Sequence, residues 1–206
     1  MPLANHHDQT TEHRILEVAR QAFFTKGYSG ARMQDIADAA GINKALLHYY
    51  FRSKEKLFMM IFADAASTFI PQMHQILGSN DSLFKKIEVF VAEYLAVLSK
   101  NPVIPMFVLN ELHKRPGSFL KQFYEGKKAP PVKKFYQQVT EEVRNGTLRP
   151  IEPVQLMIHL ISLCIFPFVA KPLFQVVASL TDTQYKKMIE QRKTEVAAFI
   201  INSIKA

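Results

Sequence analysis

One cysteine, Cys164, stands in 206 residues, so no disulfide can form within the chain. A reducing cytoplasm is the expected location. The opening "MPLANHHDQTTEHR" holds no apolar run of the signal-peptide kind. The most apolar stretch, "LMIHLISLCIFPFVA" from Leu156 to Ala170, has the length of a buried helix. It falls short of the ~20 residues that span a bilayer comfortably, so no membrane partner is expected. No run of alternating β-branched residues lies between hairpin signals, which argues against strands. Internal repeats and low-complexity tracts are missing too. The sequence also lacks a nucleophile–base arrangement, a zincin motif, a phosphate loop and a glycine fingerprint. No catalytic residue and no cofactor is therefore expected. Asn110, Glu111 and His113 share one predicted helix but are too few and too scattered for a metal site.

What is present is a core. Hydrophobic residues make up 48% of the chain, enough to exclude a disordered or fibrous protein. The net charge of +8 invites a nucleic-acid reading, but its position matters. Residues 1–57 hold eight Lys and Arg against six Asp and Glu, and the remainder holds eighteen against twelve. Most of the excess therefore lies outside the N-terminal segment. The local density is more telling: between Lys44 and Lys56 stand four basic residues and one acid, Glu55.

Thr11 and Glu12 suit a helix start, followed by Ile15, Val18, Ala19, Ala22 and Phe23 at helical spacing. Gly27 stops that helix. A short second helix reads "MQDIADAAG", with Ile36, Ala37 and Ala40 inward and Gly41 as its stop. Asn43 caps a third, "KALLHYYF", and Ser53 caps a longer fourth that runs to Leu77 with a kink expected at Pro71. This order describes a helix-turn-helix inside a small bundle. The rest reads as helices punctuated by "LGSNDS", "NPVIP", "KRPGS", "EGKKAPP", "NGTLRPIEP" and "SLTDT". The fold class expected is all-α, with a helix-turn-helix domain over residues 9–62 and a larger helical domain over residues 63–206.

On the third helix, residues three and four apart share a side. Leu47 and Phe51 form a clean inward pair, and Ala45 or Leu46 and Tyr50 lie near that face. Lys44, His48 and Tyr49 fall outward, where such a helix would meet a major groove. Small Ala45 permits close approach to a base edge or thymine methyl. Tyrosine hydroxyls and Lys54, at the start of the next helix, suit phosphate oxygens.

The stretch "GYSGARMQDIADAAGINKALLHYYFRSKEKLF" resembles the DNA-binding domain of TetR-family transcriptional regulators. The pattern is G-Y, D-I-A-x-x-A-G, a short helix ending in Y-x-F, and S-K-E-x-L, and it covers residues 10–62. The resemblance implies a homodimer on a palindromic double-stranded DNA operator, usually a repressor released by a small molecule bound in the C-terminal domain. It places Arg32, Met33, Asn43, Lys44, Ala45, His48, Tyr49, Tyr50 and Lys54 at the DNA, with Lys44, Ala45 and His48 toward bases and Tyr49, Tyr50 and Lys54 toward phosphates. Two positions depart from the family. Arg32 replaces the usual Thr or Ser cap, and Leu46 replaces a small or hydroxylated residue.

Dimer candidates are the helices near Val154–Val169 and Gln184–Ile204. The second carries an apolar face of Met188, Ile189, Val196, Phe199, Ile200 and Ile204. A largely apolar effector would sit in a cavity between helices. The candidate lining residues are Phe69, Met73, Tyr94, Phe107, Asn110, Phe123, His159, Ser162 and Phe166. His159 and Ser162 are the polar anchors, and Cys164 is an inert buried thiol. Two other readings are a DNA-binding regulator or architectural protein without a ligand, and an all-helical enzyme or carrier.

Overall fold

The computed structural model describes residues 4–114, 117, 119, 121 and 130–206, with side chains from residue 10 onward. By internal contacts the chain divides into two units, residues 1–66 and 67–206. Among the described residues there is no strand, only one isolated bridge between Leu148 and Lys205.

The first unit opens with α1 (Ala4–Gly30), which buries Ile15, Ala19 and Phe23 on one stripe. It starts at Ala4, seven positions ahead of Thr11. Thr11 is thus an interior helical residue, and the expected cap there is corrected. Gly27, at φ 69°, breaks the helical course in a conformation that costs glycine little. Next come α2 (Met33–Ala39) and α3 (Lys44–Tyr50). Gly41 turns the chain between them at φ 65°. Asn43 Oδ1 accepts from the Leu46 N–H at 2.8 Å and so caps α3. α4 (Lys54–Gly78) begins behind Ser53, whose Oγ accepts from the Lys56 N–H at 3.1 Å. Pro71 lies inside that span.

Ile36, Leu47, Leu57 and Phe58 are fully buried with Phe23. The Phe23 and Phe58 rings meet edge-on at 5.0 Å, and Tyr28 meets Phe58 at 5.2 Å. Each such phenylalanine contributes about 1.5–3 kcal/mol by leaving water. This packing fixes which side of α3 faces out.

In the second unit lie α5 (Leu83–Lys100), α6 (Ile104–Lys114), α7 (Val132–Arg144), α8 (Pro153–Val169), α9 (Lys171–Val177) and α10 (Asp182–Ile204). α5 packs against α8 and α10. Its stripe of Leu83, Ile87, Val91 and Leu95 meets a core that includes Leu156, Leu160 and Cys164 of α8 and Ile189, Val196, Ile200 and Ile204 of α10. The last helix starts at Thr181, whose hydroxyl and Gln184 form a reciprocal cap.

That core overturns one expectation. Four of the six residues assigned to an intersubunit face on the last helix, Ile189, Val196, Ile200 and Ile204, are buried in their own chain. The apolar stripe of α5 already partners them. Of the six, Phe199 is left outside, 66% exposed. No single helix among the described residues is long and apolar enough to cross a bilayer; α8 and α9 reach that length only together, across a bend of 69°.

Two buried polar features organise this unit. Lys86 is buried, and its ammonium donates to Gln138 Oε1 at 2.7 Å and approaches the Leu77 carbonyl at 3.5 Å. The second feature follows from Pro167. Within α8 a proline has no N–H, so the carbonyl four residues earlier, on Leu163, lacks its helical donor. The Arg192 guanidinium of α10 donates to that carbonyl at 2.7 Å. Two turns earlier on α10, the Tyr185 hydroxyl donates to the Pro167 carbonyl at 3.0 Å in the last turn of α8.

Candidate nucleic-acid interface

α3 is short, and its orientation follows from two side chains: Leu47 and Phe51 are buried in the first unit. The side chains turned away from that pair therefore face out. Lys44, Ala45, Leu46 and Tyr49 are exposed, Tyr49 to 71%. Tyr50 is half-buried, with its ring edge-on to Tyr49 at 5.5 Å and tilted against Phe51 at 6.3 Å. The outward surface of α3 is thus a cation, a small methyl, an isobutyl group and a phenol within two turns.

His48 sits at the edge of this surface, half-buried. Its Nδ1 lies 3.2 Å from the carbonyl of Arg52, just past the end of the helix. Arg52 itself is exposed. It stands between α3 and α4 and is not among the nine residues expected at DNA.

Arg32 and Met33 begin α2. Arg32 occupies the N-cap position with extended backbone and makes no side-chain capping bond, as expected of an arginine in place of a hydroxyl. Its guanidinium is exposed, and Met33 is half-buried. α2 is braced on its outer side by Gln34 on Asp38 at 2.7 Å and by Lys26 on Asp35 at 2.6 Å. The hydrogen bond from Lys26 holds the Asp35 carboxyl below its ordinary value.

Lys54 departs from the sequence expectation. Its ammonium donates to the carbonyls of Tyr28 at 2.9 Å, Ala31 at 3.2 Å and Ser29 at 3.4 Å. It also lies 4.7 Å from the centre of the Tyr28 ring. These carbonyls are left without helical donors where the chain turns at Gly27, and a cation there satisfies them. The role expected for Lys54 at phosphate is therefore corrected: its charge is used within the protein.

The nine residues expected around an effector do not form one group. Phe69 of α4 stacks on Tyr94 of α5 at 4.8 Å, and Met73 is buried in the same core. Phe107 of α6 is buried, whereas Asn110, on the same helix, is exposed. Phe123 lies outside the described residues. His159, Ser162 and Phe166 are exposed on α8, and the Ser162 hydroxyl is tied to the Ile158 carbonyl. The expectation of His159 and Ser162 as polar anchors, and of Phe166 as a lining residue, is corrected by helical geometry. Leu156, Leu160 and Cys164 take the inward side, so residues 159, 162 and 166 fall on the opposite one. Cys164 is buried, and burial pushes its thiol up to about 12. Among the described residues no cluster of His, Cys, Asp or Glu could hold a metal.

Residues 15–60 match the family described as bacterial regulatory proteins, tetR family. The chain is 27% identical over 150 residues to the HTH-type transcriptional repressor KstR2 of Mycolicibacterium smegmatis, covering 71% of this chain and 72% of that protein. Its fold is shared with the hemolysin II transcriptional regulator HlyIIR, at a TM-score of 0.62 and 19% identity over 96% of this chain and 98% of the other. It is shared as well with the transcriptional regulator FadR from Bacillus subtilis in complex with stearoyl-CoA, at a TM-score of 0.60 and 13% identity over 93% and 98%.

Proposed function

We propose that this chain is a DNA-binding transcription regulator of the TetR kind, a homodimeric repressor of a palindromic operator released by a small, largely apolar ligand; the match of residues 15–60 to that family and the likeness to KstR2 support the reading. The observation that carries the DNA half of this reading is the outward set on α3, Lys44, Ala45, Leu46 and Tyr49, held in place by buried Leu47 and Phe51. Residues 9–62 are the reading domain and residues 63–206 the sensing and dimerising one.

Two reading heads are needed for two half-sites, and a second copy requires a self-complementary face. The support for such a face is apolar exposure on α8, at Val154, Ile158, Ile161 and Phe166, together with Phe199 of α10. These side chains gain nothing from water and lie outside the chain's own core, Phe166 meeting only the Phe174 ring of α9 edge-on at 5.9 Å among the ring contacts of the described residues.

For the ligand, the support is the stacked Phe69 and Tyr94 beside Met73, with Phe69 and Met73 on the helix that begins at Lys54. A ligand that displaces Phe69 acts on α4 directly. It must bind the two positions of α4 with different affinity, or it shifts nothing. FadR holds stearoyl-CoA, so long-chain acyl thioesters are the first class to try.

The test is selection of a binding site from random duplexes with the full chain, followed by titration at about 150 mM salt. The selected duplex should bind at least about a thousandfold tighter than random DNA. Equal affinity for both would remove the specific-regulator reading. Acyl thioesters added to the complex should then lower operator affinity and leave affinity for random DNA unchanged.

A further inference from the structure

We propose that His48 is a specificity-determining residue that reads an exocyclic amino group on a base, adenine N6 or cytosine N4, through the lone pair of its Nε2. The inference starts from a carbonyl. Nδ1 of His48 lies 3.2 Å from the Arg52 backbone oxygen, and a carbonyl oxygen can only accept. Nδ1 therefore carries the hydrogen. In a neutral imidazole with its proton on Nδ1, the other nitrogen is an acceptor with no hydrogen to give.

That second nitrogen is free to be used. Nε2 has no partner among the described residues, and it is not one of the buried polar atoms left without one. In a half-buried ring this places Nε2 at the protein surface. His48 is four positions after Lys44, on the same side of α3. The exposed line of α3 thus presents a pure donor at Lys44, apolar groups at Ala45 and Leu46, and a pure acceptor at His48.

The major groove sorts these chemistries. Guanine offers O6 and N7 as acceptors to a lysine, and thymine offers a methyl group to an apolar contact. Only adenine N6 and cytosine N4 are donors there, and only they satisfy a bare acceptor. The Arg52 carbonyl, by holding Nδ1–H, selects which bases this position accepts. The inference rests on the reading that α3 enters the major groove.

The experiment uses the full chain at a mildly alkaline pH. Sites are selected from random duplexes by the wild type, by His48→Ala and by His48→Arg. The wild type should require adenine or cytosine at one position in each half-site. Replacing that base with an analogue lacking only the amino group should weaken wild-type binding about tenfold and leave His48→Ala binding unchanged. Whether adenine or cytosine is read is decided by which base the pool retains.

His48→Arg supplies donors alone and should turn the same position to guanine. It keeps the comparison decisive if His48→Ala loses its fold, as judged by circular dichroism. The proposal is overturned if no position is sensitive to the amino group. It is equally overturned if His48→Ala keeps the wild-type sensitivity, or if His48→Arg retains adenine or cytosine there. A pool that yields no site at all removes the groove reading itself, and this inference with it.

Discussion

Lys54 illustrates how a single charge can be placed correctly in sequence and still be given the wrong task. It stands at the first turn of α4, where a phosphate contact was the expectation, yet its ammonium holds three carbonyls at the end of α1. Lys54→Met should lower stability by about 1.5–3 kcal/mol, the range for hydrogen bonds from a charged donor. A phosphate contact predicts something different. Each ion pair lost to DNA reduces the slope of log affinity against log salt by about one. For Lys54→Met that slope should stay at the wild-type value while the melting temperature falls. Lys86 gives a second prediction. Burial, helped by the nearby Lys134 charge, lowers its pKa from 10.5. Between that depressed value and 10.5 the unfolded chain binds more protons than the folded one, so stability rises with pH across the window. Urea titrations at a series of alkaline pH values should show this rise in the wild type and a flatter profile for Lys86→Met. Neither behaviour was legible in the sequence, because each lysine's partners lie far along the chain: Tyr28 for Lys54 and Gln138 for Lys86.

At the scale of elements, caps were the most readable feature. Asn43, Ser53 and Gly41 all stand where α3, α4 and the turn before α3 require them, since each acts on backbone groups within four residues. Helix α9 was not anticipated. It bends 69° from α8 after Val169 and is tied to the start of α10 by Lys171 and Gln175, both on Asp182. The pairing of α8 with α10 through Pro167 makes a sharper prediction. Arg192→Met leaves the Leu163 carbonyl without a donor inside the protein, at a cost of about 1–3 kcal/mol. Pro167→Ala returns an N–H to the helix and makes the guanidinium dispensable. In a double-mutant cycle read by denaturant unfolding, Arg192→Met should cost markedly less in the Pro167→Ala background. Strict additivity would show that the arginine stabilises by some other route.

For the whole molecule the open face of the second unit is the feature that matters. Four residues of the last helix turn into their own core, leaving Phe199 outside with Ile158 and Phe166 of α8. Phe199→Glu should spare the fold, because its ring is 66% exposed, but should separate the subunits of the proposed dimer. Sedimentation velocity is expected to shift from dimer to monomer, with far-UV circular dichroism unchanged. Operator affinity should fall with it, as one reading head binds half a site. A dimer that survives the charge would move the interface elsewhere.

Local chemistry settled a good deal of this protein in advance. Helical periods, caps and glycine stops depend on residues within a turn or two of each other, so the all-α class and the inward pair Leu47 and Phe51 on α3 could be read directly, whereas Ala45 and Leu46, one of them expected near that inner face, are both exposed. The apolar stripes of α8 and α10 were equally visible, but their direction was not. A stripe records that a face leaves water and is silent about whether another helix of the same chain or a second copy covers it. The packing of α5 decided that for α10, and the side left over on α8 carries His159 and Ser162 outward. Long-range contact alone also set the occupation of Lys54, whereas the tautomer of His48 is set within four residues, by the Arg52 carbonyl. Each depends on which backbone carbonyl the folded chain brings within hydrogen-bonding distance.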